Sequence, residues 1–222
     1  MAQSAHEFPL NNGADMPYLL YLPDDYDADQ QKVWPFILFL HGSGEGGHDI
    51  ELVRLYGLPH QIDAQPDFPC IVLSPQCPLD VRWPEQSDKV IELLDAILSD
   101  LRVDHSRIYL TGLSMGGEGS WHLGSLHPER FAAVLPICGR TPPQAEGFPE
   151  NVCALKNVPV WVFHGAQDDR APVENSKTMA KILEDCGGNV KLTIFPDGDH
   201  FIWDQVYEDQ AVWDWLLAQR KT

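Results

Sequence analysis

The chain predicts an α/β fold: a mainly parallel central sheet with helices on both faces. Three observations lead there. Short apolar runs alternate with segments of helical periodicity over nearly all 222 residues. One run, "VWPFILFLH" (33 to 41), is apolar on both faces, as a buried central strand must be. No repeat, low-complexity tract or long insertion breaks the alternation, so one domain over residues 1–222 without a large cap is the economical organisation.

"YLLYLP" (18 to 23) reads as the strand before that central one, and "FPCIVLSP" (68 to 75) as the strand after it. From Pro84 the period changes. Val90, Ile91, Leu93, Leu94, Ile97, Leu98 and Leu101 follow the i, i+3, i+4, i+7 spacing of an amphipathic helix with a proline near its start. "RIYLTG" (107 to 112) returns to a strand, followed by a helix from about Ser114 and a strand "FAAVLPICG" (131 to 139). A proline- and glycine-containing loop is expected from Arg140 to about Asn157. The strand "VPVWVFHG" (158 to 165) then precedes a helix from Val173 to Cys186, stopped by Gly187 and Gly188. "VKLTIFPDG" (190 to 198) is the last strand and Val206 to Gln219 the last helix.

The balance of 33 Asp+Glu against 15 Lys+Arg gives a formal charge of −18, which repels nucleic-acid phosphates and anionic membrane surfaces. The acids are scattered, so the charge speaks for solubility rather than an interaction tail. The first twenty residues lack a basic segment followed by an apolar one, and no run reaches the roughly 18 apolar residues of a membrane span; a cytoplasmic protein is expected. Five cysteines without CxxC spacing suit neither a disulfide framework nor a zinc knuckle, and read mostly as small buried hydrophobes.

"YLTGLSMGGEGSW" (109 to 121) sets one serine, Ser114, among Gly112, Gly116 and Gly117 at a strand-to-helix junction. That context turns G-x-S-x-G from a common pattern into a nucleophile turn: the serine takes a strained backbone, and the glycines remove Cβ atoms that would collide. A serine hydroxyl needs a base with a pKa near 7, and the base needs an orienting carboxylate, in the chain order Ser, acid, His. Among His122, His127, His164 and His200, only His200 falls after the final strand, amid Asp197, Gly198 and Asp199, at the sheet edge where α/β ligand sites lie. For the acid, Asp168 and Asp169 follow the same strand and the residues alone do not separate them. The loop "HGSGEGG" (41 to 47) has the glycine content of an anion-binding nest. The main-chain N–H groups of Ser43 and Met115 are the expected oxyanion donors. His41 and His48 lack metal-site spacing, and neither a metal nor an organic cofactor is implied.

With "LHGSGEGG", "GLSMGG", "HGAQDDRAP" and "DGDH" in this order, the chain resembles the α/β-hydrolase serine esterases. It is nearest to the compact carboxylesterases that border polyhydroxybutyrate-depolymerase-like and feruloyl-esterase-like enzymes, a group also called predicted peptidases. The resemblance covers about residues 18 to 218. It implies Ser114 as nucleophile, His200 as base and, through H-G-x-x-D, Asp168 rather than Asp169 as the acid, with Ser43 giving an oxyanion donor. "PQCP" (75 to 78) followed by Trp83 matches a segment at the site rim, so Trp83 is either a substrate contact or a packing residue. The implied activity is that of a serine carboxylesterase acting on short-chain or small aromatic esters, its partner a small-molecule ester. A peptidase of the prolyl-oligopeptidase type and a non-catalytic binder of hydrolase shape are the rivals.

Overall fold

The computed structural model describes residues 3–64, 67–140 and 151–221. Eight strands form one sheet in the order β1-β2-β4-β3-β5-β6-β7-β8. In chain order they are β1 (Ser4–Pro9), β2 (Asp15–Tyr21), β3 (Trp34–Leu40), β4 (Ile71–Pro75), β5 (Val103–Leu113), β6 (Ala133–Ile137), β7 (Val160–Gly165) and β8 (Val190–Phe195). The β1–β2 and β2–β4 pairings are antiparallel; every pairing from β4 through β3 to β8 is parallel.

Side-chain alternation divides the core into two layers. Leu38, Leu40, Leu73, Leu110, Val134 and Val162 pack with α2 (Ser87–Asp100), α3 (Met115–Leu126) and α4 (Val173–Asp185), which supply Leu93, Leu94, Trp121, Leu123, Met179 and Leu183. The alternate residues Ile37, Phe39, Val72, Tyr109, Leu135 and Phe163 pack against α1 (Gly57–Ala64), α5 (Trp203–Glu208) and α6 (Gln210–Ala218) through Leu58, Ile62, Val206, Val212 and Leu216. Adjacent residues of each strand thus serve opposite faces, which is why these strands read as continuous apolar runs.

The departures from the sequence reading have local causes. Strand β1 is largely exposed and carries no apolar alternation; it exists through its ladder with β2, from Ser4 opposite Leu20 to Pro9 opposite Asp15. Helix α1, eight residues with Gly57 at φ +66°, is too short for a readable period. The expected last helix is two: Asp209 turns extended at φ −78°, ψ 110° and its carboxylate caps Ala211 N–H, starting α6 afresh. Within the expected 140–157 loop, residues 141–150 lie outside the described residues, and Val152–Asn157 form a 3-10 helix. Cys70, Cys77 and Cys138 are buried free thiols, as expected of most cysteines, but Cys153 and Cys186 are joined, their Cα atoms 5.6 Å apart. The cysteine spacing hides this bond because it links two segments 33 residues apart. Among the described residues no helix is long and apolar enough to cross a membrane.

Candidate active site

Strands β3, β5, β7 and β8 run parallel, so their carboxyl ends share one edge, and each is followed by an expected site residue: Ser43, Ser114, Asp168 and His200 in turn. Ser114 joins β5 to α3 with φ +53° and ψ −115°, a left-handed conformation that a non-glycine residue holds only under constraint. Its N–H donates to Ile137 O at 2.9 Å, and its carbonyl accepts from Glu118 N–H at 3.1 Å. The glycine at 116 is a steric necessity: a Cβ there would lie 1.8 Å from the Leu40 carbonyl oxygen. The helix can therefore start hard against the end of β3, which holds the hydroxyl at the edge.

Gly165 does the same for the other two loops, since a Cβ there would lie 2.0 Å from Asp199 O. The β7 and β8 loops are further joined by Gln167 N–H donating to Gly198 O at 2.9 Å. This close seating brings His200 and Asp168 together across 32 residues of chain. His200 Nδ1 lies 2.7 Å from Asp168 Oδ2, and His200 Nε2 lies 2.9 Å from Ser114 Oγ. It is His200, not His122, His127 or His164, whose ring meets the serine. Asp169 is exposed, whereas the Asp168 side chain is fully buried. Burial alone would raise the Asp168 carboxyl, but the main-chain N–H groups of Ala171 and Arg170, with His200, outweigh it and hold the pKa below the ordinary value.

His164, a candidate base by sequence, instead lies beneath the acid. Its Nε2 is 3.1 Å from Asp168 Oδ2 and 2.8 Å from Ala171 O, while Nδ1 is 2.7 Å from Ser176 Oγ. Two acceptors at Nε2 require its proton there, leaving Nδ1 to accept from the Ser176 hydroxyl. Full burial lowers the His164 pKa and favours this neutral ring. Asp168 Oδ2 thus accepts from two histidines and Oδ1 from two main-chain N–H groups. The only sequence signal for this was the histidine in the "HG" that ends β7.

The loop after β3 is held by a second buried histidine. His41 Nε2 accepts from Cys77 N–H at 2.9 Å, so its proton sits on Nδ1, which donates to Gly42 O at 2.6 Å. Burial lowers the His41 pKa to about 4, against the opposing bond to Gly42. Glu45 is buried with it, accepting from Gly42 N–H at 2.7 Å, and Gln76 Nε2 donates to Glu45 O and Asp49 O at 2.9 and 2.7 Å. Trp83 belongs to this lacing. It is 2% exposed, donates Nε1–H to His41 O at 2.9 Å and packs its Cβ over Gly119. The expectation of a substrate contact is corrected: a buried indole whose N–H is spent on the loop has no face for a ligand.

Ser43, Met115, Ser114 and His200 line one cleft of about 160 Å³. Among the described residues, neither Ser43 N–H nor Met115 N–H bonds to an acceptor outside its own helical turn. Phe201, 45% exposed, stands beside the His200 ring at 5.9 Å and contacts Trp203, which in turn contacts Tyr56. One set of described residues, Cys138, Asp168 and His200, offers metal-ligating atoms within 4.8 Å of one another. Two of its members are engaged in their own hydrogen bond, and burial raises the Cys138 thiol pKa, so a metal would compete with the bonded pair.

A mainly parallel eight-stranded sheet with a strained serine at the strand-to-helix turn defines an α/β-hydrolase. The chain belongs to the phospholipase/carboxylesterase family, which matches residues 68–212. A probable feruloyl esterase C of Aspergillus terreus is 26% identical over 171 residues, covering 73% of this chain and 58% of that protein. A putative carboxymethylenebutenolidase of Salmonella typhimurium is 28% identical over 100 residues, 44% of this chain and 37% of the relative. Among solved structures, a thermostable esterase superposes with a TM-score of 0.84 at 32% identity, over 98% of this chain and 63% of the other. A ferulic acid esterase superposes over 97% of both chains with a TM-score of 0.74 at 16% identity, which speaks to the fold alone. The chain spans 58% of the length of that feruloyl esterase and 63% of the thermostable esterase.

Proposed function

We propose that this chain is a carboxylic ester hydrolase working through a Ser114 acyl-enzyme, as a single catalytic domain. The observation that carries the reading is the continuous contact Ser114 Oγ–His200 Nε2–His200 Nδ1–Asp168 Oδ2 at 2.9 and 2.7 Å. Ser114 attacks the ester carbonyl while His200 Nε2 takes its proton, and Asp168 holds the ring so that Nε2 faces the serine. Charge developing on the carbonyl oxygen is met by the N–H groups of Ser43 and Met115, each donor worth about 3 kcal/mol of transition-state stabilisation. The protonated His200 returns its proton to the leaving alcohol. Water, deprotonated by the same ring, then releases the acid and frees Ser114.

A cleft of about 160 Å³ beside the exposed ring of Phe201 supports short-chain or small aromatic acyl groups over long lipids. The relatives named feruloyl esterase agree with that choice. The Cys153–Cys186 bond weighs against the cytoplasmic expectation, since such bonds persist in oxidising compartments.

A fluorophosphonate probe tests the nucleophile. Wild type labels and Ser114→Ala does not; equal labelling of both sinks the reading. Matched ester and amide substrates separate esterase from peptidase, with the ester expected to be cleaved far faster.

A further inference from the structure

The cleft that holds Ser114 and His200 is also lined by Arg82, Arg140 and Arg170, and among the described residues no acidic side chain lines it. Three of only 15 basic residues therefore face one small cleft on a chain with formal charge −18. Gathering like charges around one small cleft is unfavourable unless something of opposite sign offsets them.

One such charge pairs directly with these arginines. Glu118, 2% exposed in the first turn of α3, accepts from Arg82 Nη2, and Arg140 also acts on it electrostatically. Arg82 remains 43% exposed, so part of its fork still faces the opening. Arg140 and Arg170 make no ion pair among the described residues. The Arg170 guanidinium instead lies 4.7 Å from the centre of the exposed Phe201 ring, beside His200. Two buried carboxylates stand near these guanidiniums: Glu118 pairs with Arg82, and Asp168 is taken up by His200, His164 and two main-chain N–H groups, so among the described residues the positive charge of Arg140 and Arg170 has no carboxylate partner. None of it disappears at working pH, because arginine does not deprotonate in proteins.

The geometry points to a substrate class: esters that carry a carboxylate a few bonds from the scissile carbonyl, such as monoesters of dicarboxylic acids. This rests on the esterase reading. Planar guanidiniums match a carboxylate through paired hydrogen bonds, and the small cleft brings that group close to the reacting carbonyl. The overall negative charge does not prevent this, because at physiological salt charges beyond about 8 Å are screened while those in the cleft act directly.

The experiment compares mono-4-nitrophenyl adipate with its methyl 4-nitrophenyl diester, which differ only in a methyl cap on the distant carboxylate. At low salt, kcat/KM is expected to favour the anionic ester about tenfold, the scale of one charge-assisted hydrogen bond. That ratio should fall toward one in Arg140→Gln and Arg170→Gln, and shrink in 0.5 M NaCl. Hydrolysis of both esters with a ratio at or below one overturns the anion preference and leaves the esterase reading standing. A ratio unchanged by both substitutions removes the arginines from recognition and overturns the assignment. Failure to hydrolyse either ester, with no fluorophosphonate labelling, takes down both readings.

Discussion

His41 carries a prediction whose size can be worked from the structure. The ring is buried and must accept from Cys77 N–H through Nε2, so a second proton breaks that bond and leaves a charge inside the protein. Its pKa falls from 6.5 to about 4 on folding. Between those values the unfolded chain holds a proton that the folded chain does not, so stability declines as pH drops from about 6.5 to about 4 and this contribution changes little below. At 1.36 kcal/mol per pKa unit, the loss attributable to His41 is about 3 kcal/mol. Urea unfolding at steps from pH 7 to pH 4, on wild type and His41→Gln, measures it. His164 and Asp168 titrate alike in both proteins and cancel in the comparison. The wild-type curve should fall about 3 kcal/mol further than that of the variant across this window. Parallel curves would refute the claim that His41 holds the loop after β3 as a neutral acceptor.

Asp168→Asn removes the acceptor that fixes the His200 ring, and kcat for a simple ester is expected to fall by three to four orders of magnitude at pH 7 with little change in KM. Gly116→Ala places a Cβ 1.8 Å from Leu40 O and should cost on the order of 4 kcal/mol or more, read as lost soluble yield or a collapsed denaturation midpoint. Peptide mapping without reductant should recover Cys153 linked to Cys186, and reduction should lower stability by about 4 kcal/mol for a span of 33 residues.

Legibility in the sequence tracked physical strength. The buried strands from β3 to β7 serve two apolar layers, and such runs can hardly be anything else. Ser114 and His200 announced themselves because a strained turn and a post-strand loop have compositions of their own. Asp168 needed the H-G-x-x-D resemblance, since Asp169 has the same chemistry and only coordinates reveal that one carboxylate is buried and the other exposed. Strand β1 was invisible because its stability lies in a partner strand rather than in its side chains. Trp83 was ambiguous for a related reason: a tryptophan near a site motif looks alike whether it faces ligand or, as here, pins the loop through His41 O. The convergence of Arg82, Arg140 and Arg170 had no signal at all, because residues from three separate loops meet only in three dimensions.

The central claim is that Ser114 becomes acylated during turnover. Rapid acid quenching of the enzyme with 4-nitrophenyl acetate, followed by digestion and mass spectrometry, tests it at the bond itself. One acetyl group is expected on the peptide containing Ser114, absent from Ser114→Ala and accumulating when deacylation is slowed. Acetate release with the Ser114 peptide unmodified at every quench time, or an acetyl group carried stoichiometrically by another residue, would contradict it.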